Sequence, residues 1–86
     1  MAKKVIFVDD SKAVLASVEL AVEELVQSGS IVFTTYLNPA EFLELVKAGA
    51  AEYDMLFTDI NMPQMTGLEL AKNLKAIDAV RQKPIL

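Results

Sequence analysis

Three aspartates close two short apolar runs. Asp9 and Asp10 follow Val5–Val8, and Asp59 follows Met55–Thr58. If the two runs are neighbouring parallel strands, their axes lie about 4.8 Å apart and their ends share one edge. Three carboxylates then crowd one spot, where each raises the others' pKa unless a cation joins them. Oxygen donors with no histidine or cysteine suit a hard cation, Mg²⁺ above all. Two carboxylates and one carbonyl are enough protein ligands for it, and the backbone carbonyl of Asn61 is the one placed to turn toward the metal. A carboxylate beside such a cation can act as a nucleophile toward a phosphoryl group. Asp59 is the candidate nucleophile; Asp9, Asp10, Asp59 and Asn61 are the candidate metal ligands. A strand-end aspartate is often only a cap or a solvated turn residue, and Asp9 or Asp10 alone fits that description. The pair combined with Asp59 and the following "NMPQMTG" does not.

The elements around these residues are simple. Val5–Val8 is a continuous apolar run with the character of a buried strand. Residues 12–27 show helical spacing, with Val14, Val18, Ala21, Val22 and Leu25 on one face, Ser11 as N-cap and Gly29 as stop. "IVFTTYL" at 31–37 is rich in β-branched and aromatic residues and predicts a second strand. Asn38, Pro39 and Glu41 open a second helix to about Lys47, with Phe42, Leu43 and Val46 inward. Met55–Thr58 is the third strand. Pro63 stiffens the loop after it, and Gly67 permits a close approach there. A third helix covers roughly 67–77 with Leu70, Leu74 and Ile77 inward, and Pro84-Ile85-Leu86 opens a fourth strand. The order βαβαβα(β) predicts an α/β fold: one domain, 1–86, with a doubly wound parallel sheet.

Composition narrows the function. The 86 residues carry a net charge of −4, no cysteine and no histidine, with 53% hydrophobic residues and a mean hydropathy of +0.36. Disulfides, thiolate metal sites and histidine acid–base chemistry are therefore absent. No basic cluster exceeds Lys3-Lys4, so direct nucleic-acid or membrane binding is not expected. No apolar run is long enough for a signal peptide or a membrane span, and the expected location is cytoplasmic.

With "VIFVDDS" at 5–11, "LFTDINMPQMTGLEL" at 56–70 and "KPIL" at 83–86, the chain resembles the receiver (CheY-like) domain of two-component response regulators. The resemblance covers the whole chain and implies a flavodoxin-like fold. It implies Asp59 as phosphoacceptor, Asp10 as direct Mg²⁺ ligand, Asp9 as second acidic residue acting through water, and Asn61 as carbonyl donor. It implies a histidine kinase or phosphotransfer protein as phosphoryl donor, and a signalling module in place of an enzyme. The haloacid-dehalogenase type of phosphohydrolase wants a second aspartate two residues after the first, where Asn61 stands. Receiver domains continue through two further βα units, ending their fourth strand in Ser or Thr and their fifth in Lys. The chain is thus expected to be a C-terminally truncated receiver, three strands each followed by a helix and then a partial fourth strand, impaired in switching. The sheet edge left beside the third strand or the partial fourth is expected to mediate homo-oligomerisation. The alternative reading is a non-switching, self-associating interaction module.

Overall fold

In the computed structural model, which describes residues 2–86, a strand from the N-terminus runs up the middle of the sheet. This is β1, Lys3–Val8. It is followed by α1 (Lys12–Ala21), α2 (Glu23–Gln27), β2 (Ile31–Tyr36), α3 (Pro39–Lys47), β3 (Met55–Thr58) and α4 (Gly67–Lys75). The sheet is parallel, in the order β2-β1-β3. Pro84–Leu86 lies along the far side of β3 through a parallel bridge between Leu56 and Ile85. Leu56 N donates to Pro84 O (3.0 Å), Thr58 N to Leu86 O (3.1 Å) and Leu86 N to Leu56 O (2.8 Å). This is the doubly wound order of a flavodoxin-like fold, with the reversal of strand order between β1 and β3.

Alternation along the strands divides the sheet into two unequal layers. Ile6 and Val8 of β1 and Leu56 of β3 face α3 and α4 and are almost fully buried. There they meet Phe42, Leu43 and Val46, together with Leu70 and Leu74; Tyr53, Met62 and Val80 close the rim. Burying each such aliphatic side chain contributes roughly 1.5–3 kcal/mol, so this layer holds the fold together. On the other face Phe7 and Phe57 stack, with ring centroids 6.0 Å apart and planes at 11°. Both remain only half-buried.

Helix ends are well specified. Asn38 Oδ1 accepts from Ala40 N (3.0 Å) and Glu41 N (3.1 Å), with Pro39 at the first helical position. Thr66 and Glu69 form a reciprocal capping box at the start of α4.

The first helix departs from expectation. The continuous helix predicted over 12–27 is broken at Val22, where ψ is 5°, far from the helical value near −42°. Its inward face is also rotated. Leu15 is the buried residue, with Val18 and Val22 half-buried, whereas Val14 (42%) and Leu25 (49%) are exposed, as is Ala21. This layer packs on the side of the sheet that holds Phe7 and Phe33, and it covers only the β1–β2 half. An apolar stripe wider than the surface available to it cannot be fully buried.

Among the described residues the sheet ends at the partial fourth strand on one side, as the sequence leads one to expect, and at β2 on the other. Beside β3 the segment Pro84–Leu86 supplies the pairing, leaving only Ile85 with its backbone groups turned outward. The long free edge among the described residues is the opposite one, the outer side of β2.

The ends of β1 and β3 are locked in step. At the lower end Asp54 N donates to Lys4 O (2.8 Å) and Asp54 Oδ2 accepts from Lys4 N (2.7 Å). The Lys83 ammonium lies 3.6 Å from the same carboxylate, and Lys4 pairs with Glu52.

Candidate functional site

The register of β1 on β3 sets the site. Val8 lies opposite Thr58, so Asp9 and Asp59 leave their strands side by side. Both continue the ladder with their own amides: Asp59 N donates to Val8 O and Asp9 N to Tyr36 O, each at 3.0 Å. Asp10 is one residue further on. Carboxylate oxygens of Asp9, Asp10 and Asp59 all lie within 4.8 Å of one another. Three of the four predicted site residues are thus brought together. Asn61 lies exposed in the loop between β3 and α4, two residues past Asp59.

The three carboxylates have different surroundings. Asp9 is 6% exposed, Asp59 half-buried and Asp10 exposed. Burial raises the Asp9 carboxyl above its usual value, against the pull of the Ser11 amide; the Asp59 and Asp10 charges raise it further. Ser11 N donates to Asp9 Oδ1 at 2.9 Å and fixes that side chain, while Ser11 Oγ accepts from Val14 N and caps α1. One residue therefore orients a carboxylate and begins the helix behind it. The capping role is legible in sequence. The orienting role depends on the turn at Asp10 and leaves no separate signal.

On the other side the main chain of Asp59 is held closely. Thr58 Oγ1 donates to Asp59 O (3.0 Å), and Gly67 N donates to Ile60 O (2.9 Å). A Cβ on Gly67 would lie 2.3 Å from Asp59 O and 3.0 Å from Ile60 Cα. The glycine is needed because the start of α4 presses directly on the backbone of Asp59 and Ile60. Met62 is 5% exposed and packs the loop into the core. This donor set, all oxygen with one carboxylate buried at the switch point of an α/β sheet, suits a hard divalent cation.

Comparison with known proteins bears on this corner. Residues 5–86 match the family model for the response regulator receiver domain. The chain is 34% identical over 87 residues to the two-component response regulator ORR1 of rice (Oryza sativa subsp. japonica), covering 96% of this chain and 38% of that protein. Among solved structures it is similar to the chemotaxis response regulator CheY4 of Vibrio cholerae, with a TM-score of 0.74 and 32% identity, over 99% of this chain and 66% of the other. It shares its fold with the receiver domain of the sensor histidine kinase PA1611 of Pseudomonas aeruginosa, with a TM-score of 0.80 at 18% identity, over 99% and 65% of the two chains. That structure has a magnesium ion coordinated in its active-site cleft. The chain spans well under half of the rice regulator and about two thirds of the chemotaxis regulator. With the acidic corner at the switch point, the parallel sheet and a family match from Val5 to Leu86, the chain belongs to the response regulator receiver domains of two-component signalling.

Proposed function

We propose that Asp59 accepts a phosphoryl group from the phosphohistidine of a cytoplasmic histidine kinase or phosphotransfer protein. The observation that carries this reading is the convergence of Asp9, Asp10 and Asp59 within 4.8 Å. Asp9, Asp10, Asp59 and the Asn61 carbonyl would hold Mg²⁺, as a divalent ion is held in the cleft of the Pseudomonas receiver. When bound, Mg²⁺ offsets the charge of the carboxylates and of the incoming phosphate. The rest falls to the chain itself. A carboxylate oxygen of Asp59 attacks phosphorus; the phosphorus–oxygen bond forms as the phosphorus–nitrogen bond to the donor imidazole breaks. The Thr58 hydroxyl and the Gly67 contact hold the Asp59 main chain in place, which limits the motion that misalignment would need. Ser11 N keeps Asp9 turned into the site.

Incubation with acetyl phosphate and Mg²⁺, followed by intact mass measurement, tests the proposal. One phosphoryl adduct is expected on the wild type and none on Asp59→Asn. No adduct, or one that survives that substitution, refutes it. A second role rests on a separate observation, the outer edge of β2, which no strand among the described residues covers: the chain pairs with a second copy of itself.

A further inference from the structure

We infer that two copies of the chain join along β2, antiparallel, about a two-fold axis at Phe33. The inference rests on the self-association just proposed and names its surface; it is independent of phosphoryl transfer.

The backbone decides which groups are free. Lys3 N donates to Ser30 O (3.2 Å) and Asp9 N to Tyr36 O (3.0 Å), so the even-numbered residues of this stretch turn their amides and carbonyls toward β1. Alternation turns those of Ile31, Phe33 and Thr35 outward. Among the described residues no strand pairs with that side. Natural edges are blunted by charge, proline or a bulge. The segment Ile31–Tyr36, IVFTTY, carries no charge and no proline, and it pairs with β1 in unbroken register. Val32 on this edge is 52% exposed.

The register of the pair follows. Directly opposed residues in an antiparallel ladder point their side chains to the same face. Only a centre on Phe33 opposes all three outward residues to outward residues: Phe33 to the partner's Phe33, and Ile31 to the partner's Thr35. That gives about six new main-chain hydrogen bonds, two for each bonded pair.

Charge favours the same arrangement. Lys3 is exposed and lies opposite Ile31 in the β1–β2 ladder. In the pair it stands two strand spacings, roughly 9.6 Å, from the partner's Thr35 and on the same face. Thr35 Oγ1 donates to Glu19 Oε1 at 3.3 Å. Each Lys3 therefore faces the partner's Glu19 across the seam, twice by symmetry. On this face an open groove of about 490 Å³ is lined by Glu19, Glu23, Val26, Gln27, Phe33 and Thr35 among others, so two carboxylates of each copy, not one, face the seam that Lys3 approaches. Pairing sets the two grooves against each other with the phenyl rings near the axis. Strand-edge contact of this size lies at the small end of specific interfaces, so a dissociation constant in the micromolar range, about 10–100 µM, is expected.

Sedimentation equilibrium from about 5 to 500 µM, on concentrations that bracket that range, tests the idea in four arms. The wild type is expected to dimerise. Phe33→Lys, which opposes like charges on the axis, and Thr35→Pro, which removes an outward amide, are each expected to weaken dimerisation at least tenfold with an unchanged far-ultraviolet circular dichroism spectrum. Lys3→Glu is expected to weaken it, and the double variant Lys3→Glu/Glu19→Lys to restore it. Phe33→Cys is expected to cross-link into a dimer on oxidation, since bonded antiparallel pairs hold their Cα atoms about 5.5 Å apart, within disulfide range. A wild type that stays monomeric overturns both this inference and the self-association it rests on. A dimer insensitive to all β2 variants overturns this inference alone.

Discussion

Replacing Gly67 by alanine separates two opposing physical effects by sign. Gly67 is the first residue of α4, and glycine in a helix costs roughly 0.5–1 kcal/mol relative to alanine. Helix propensity alone therefore makes Gly67→Ala neutral or mildly stabilising. The structure says the reverse. A Cβ at that position lies 2.3 Å from the carbonyl oxygen of Asp59, and contacts under 3.0 Å essentially never occur. Backbone must move by about 0.7 Å or more, and the obstacle is main chain, with no flexible side-chain end to swing aside. Overpacking of this kind costs about 1–3 kcal/mol, so after the propensity gain a net loss of about 0–2.5 kcal/mol in a urea titration is expected. The displaced atoms belong to Asp59, the proposed phosphoacceptor. A misplacement approaching 1 Å costs on the order of 100-fold in a positioned reaction, so the rate of adduct formation from acetyl phosphate should fall by about 10- to 100-fold. Stability measured by urea unfolding without metal, and adduct formation followed by intact mass, read the two effects separately. Unchanged or increased stability with a wild-type acceptance rate would refute the packing argument.

Other expectations follow from single features. Asp9→Asn removes a buried charge that its neighbours repel; without Mg²⁺ the variant should be as stable as the wild type or more so at neutral pH, yet lose the stabilisation that Mg²⁺ gives the wild type, read as a shift in thermal midpoint with and without the ion. The Tyr53 hydroxyl is buried with no partner among the described residues, and an unsatisfied buried group costs about 1–3 kcal/mol; Tyr53→Phe should therefore be neutral or stabilising in urea unfolding. Burial pushes the Tyr53 phenol from 10.0 up to about 12. The unfolded chain then releases that proton first, so stability is lost as pH rises from 10 toward 12; the loss should shrink in Tyr53→Phe when urea midpoints are compared across that range. Phe42→Ala, at a fully buried position, should cost about 3–5 kcal/mol and leave so small a domain largely unfolded by circular dichroism.

The acidic corner was legible because carboxylates at the ends of apolar runs violate the habit of buried strands, and because two such runs in one parallel sheet end on one edge. The α3–α4 layer was legible for a similar reason: Phe42, Leu43, Val46, Leu70 and Leu74 fall at helical spacing between clear caps. The first helix was not. Its spacing pointed to Val14, Val18, Ala21, Val22 and Leu25, but Leu15 is the buried residue, Val18 and Val22 are half-buried, and Val14, Ala21 and Leu25 are exposed, because Leu15 and Leu20 widen the apolar stripe beyond one face. Nor did local sequence mark the break at Val22. Tyr53 carries no signal of burial in the sequence, and only the closing of α3 against the sheet draws it under the rim. The contact between Gly67 and Asp59 was foreseeable as a need for a small residue, but its target was not, since it joins residues on opposite sides of a loop.

The clasp at the lower end of the sheet has a consequence for the opposite end. Asp54, Lys4, Lys83 and Glu52 fix where β3 starts against β1, and a strand only four residues long, Met55–Thr58, has little slack with which to absorb a shift. The gap between Asp9 and Asp59 is therefore calibrated from the far rim, like the jaws of a caliper set by its screw. Sequence variation around Asp54 would then act as a remote dial on the proposed ion site, able to tune the acidic pocket with Asp9, Asp10, Asp59 and Asn61 unchanged.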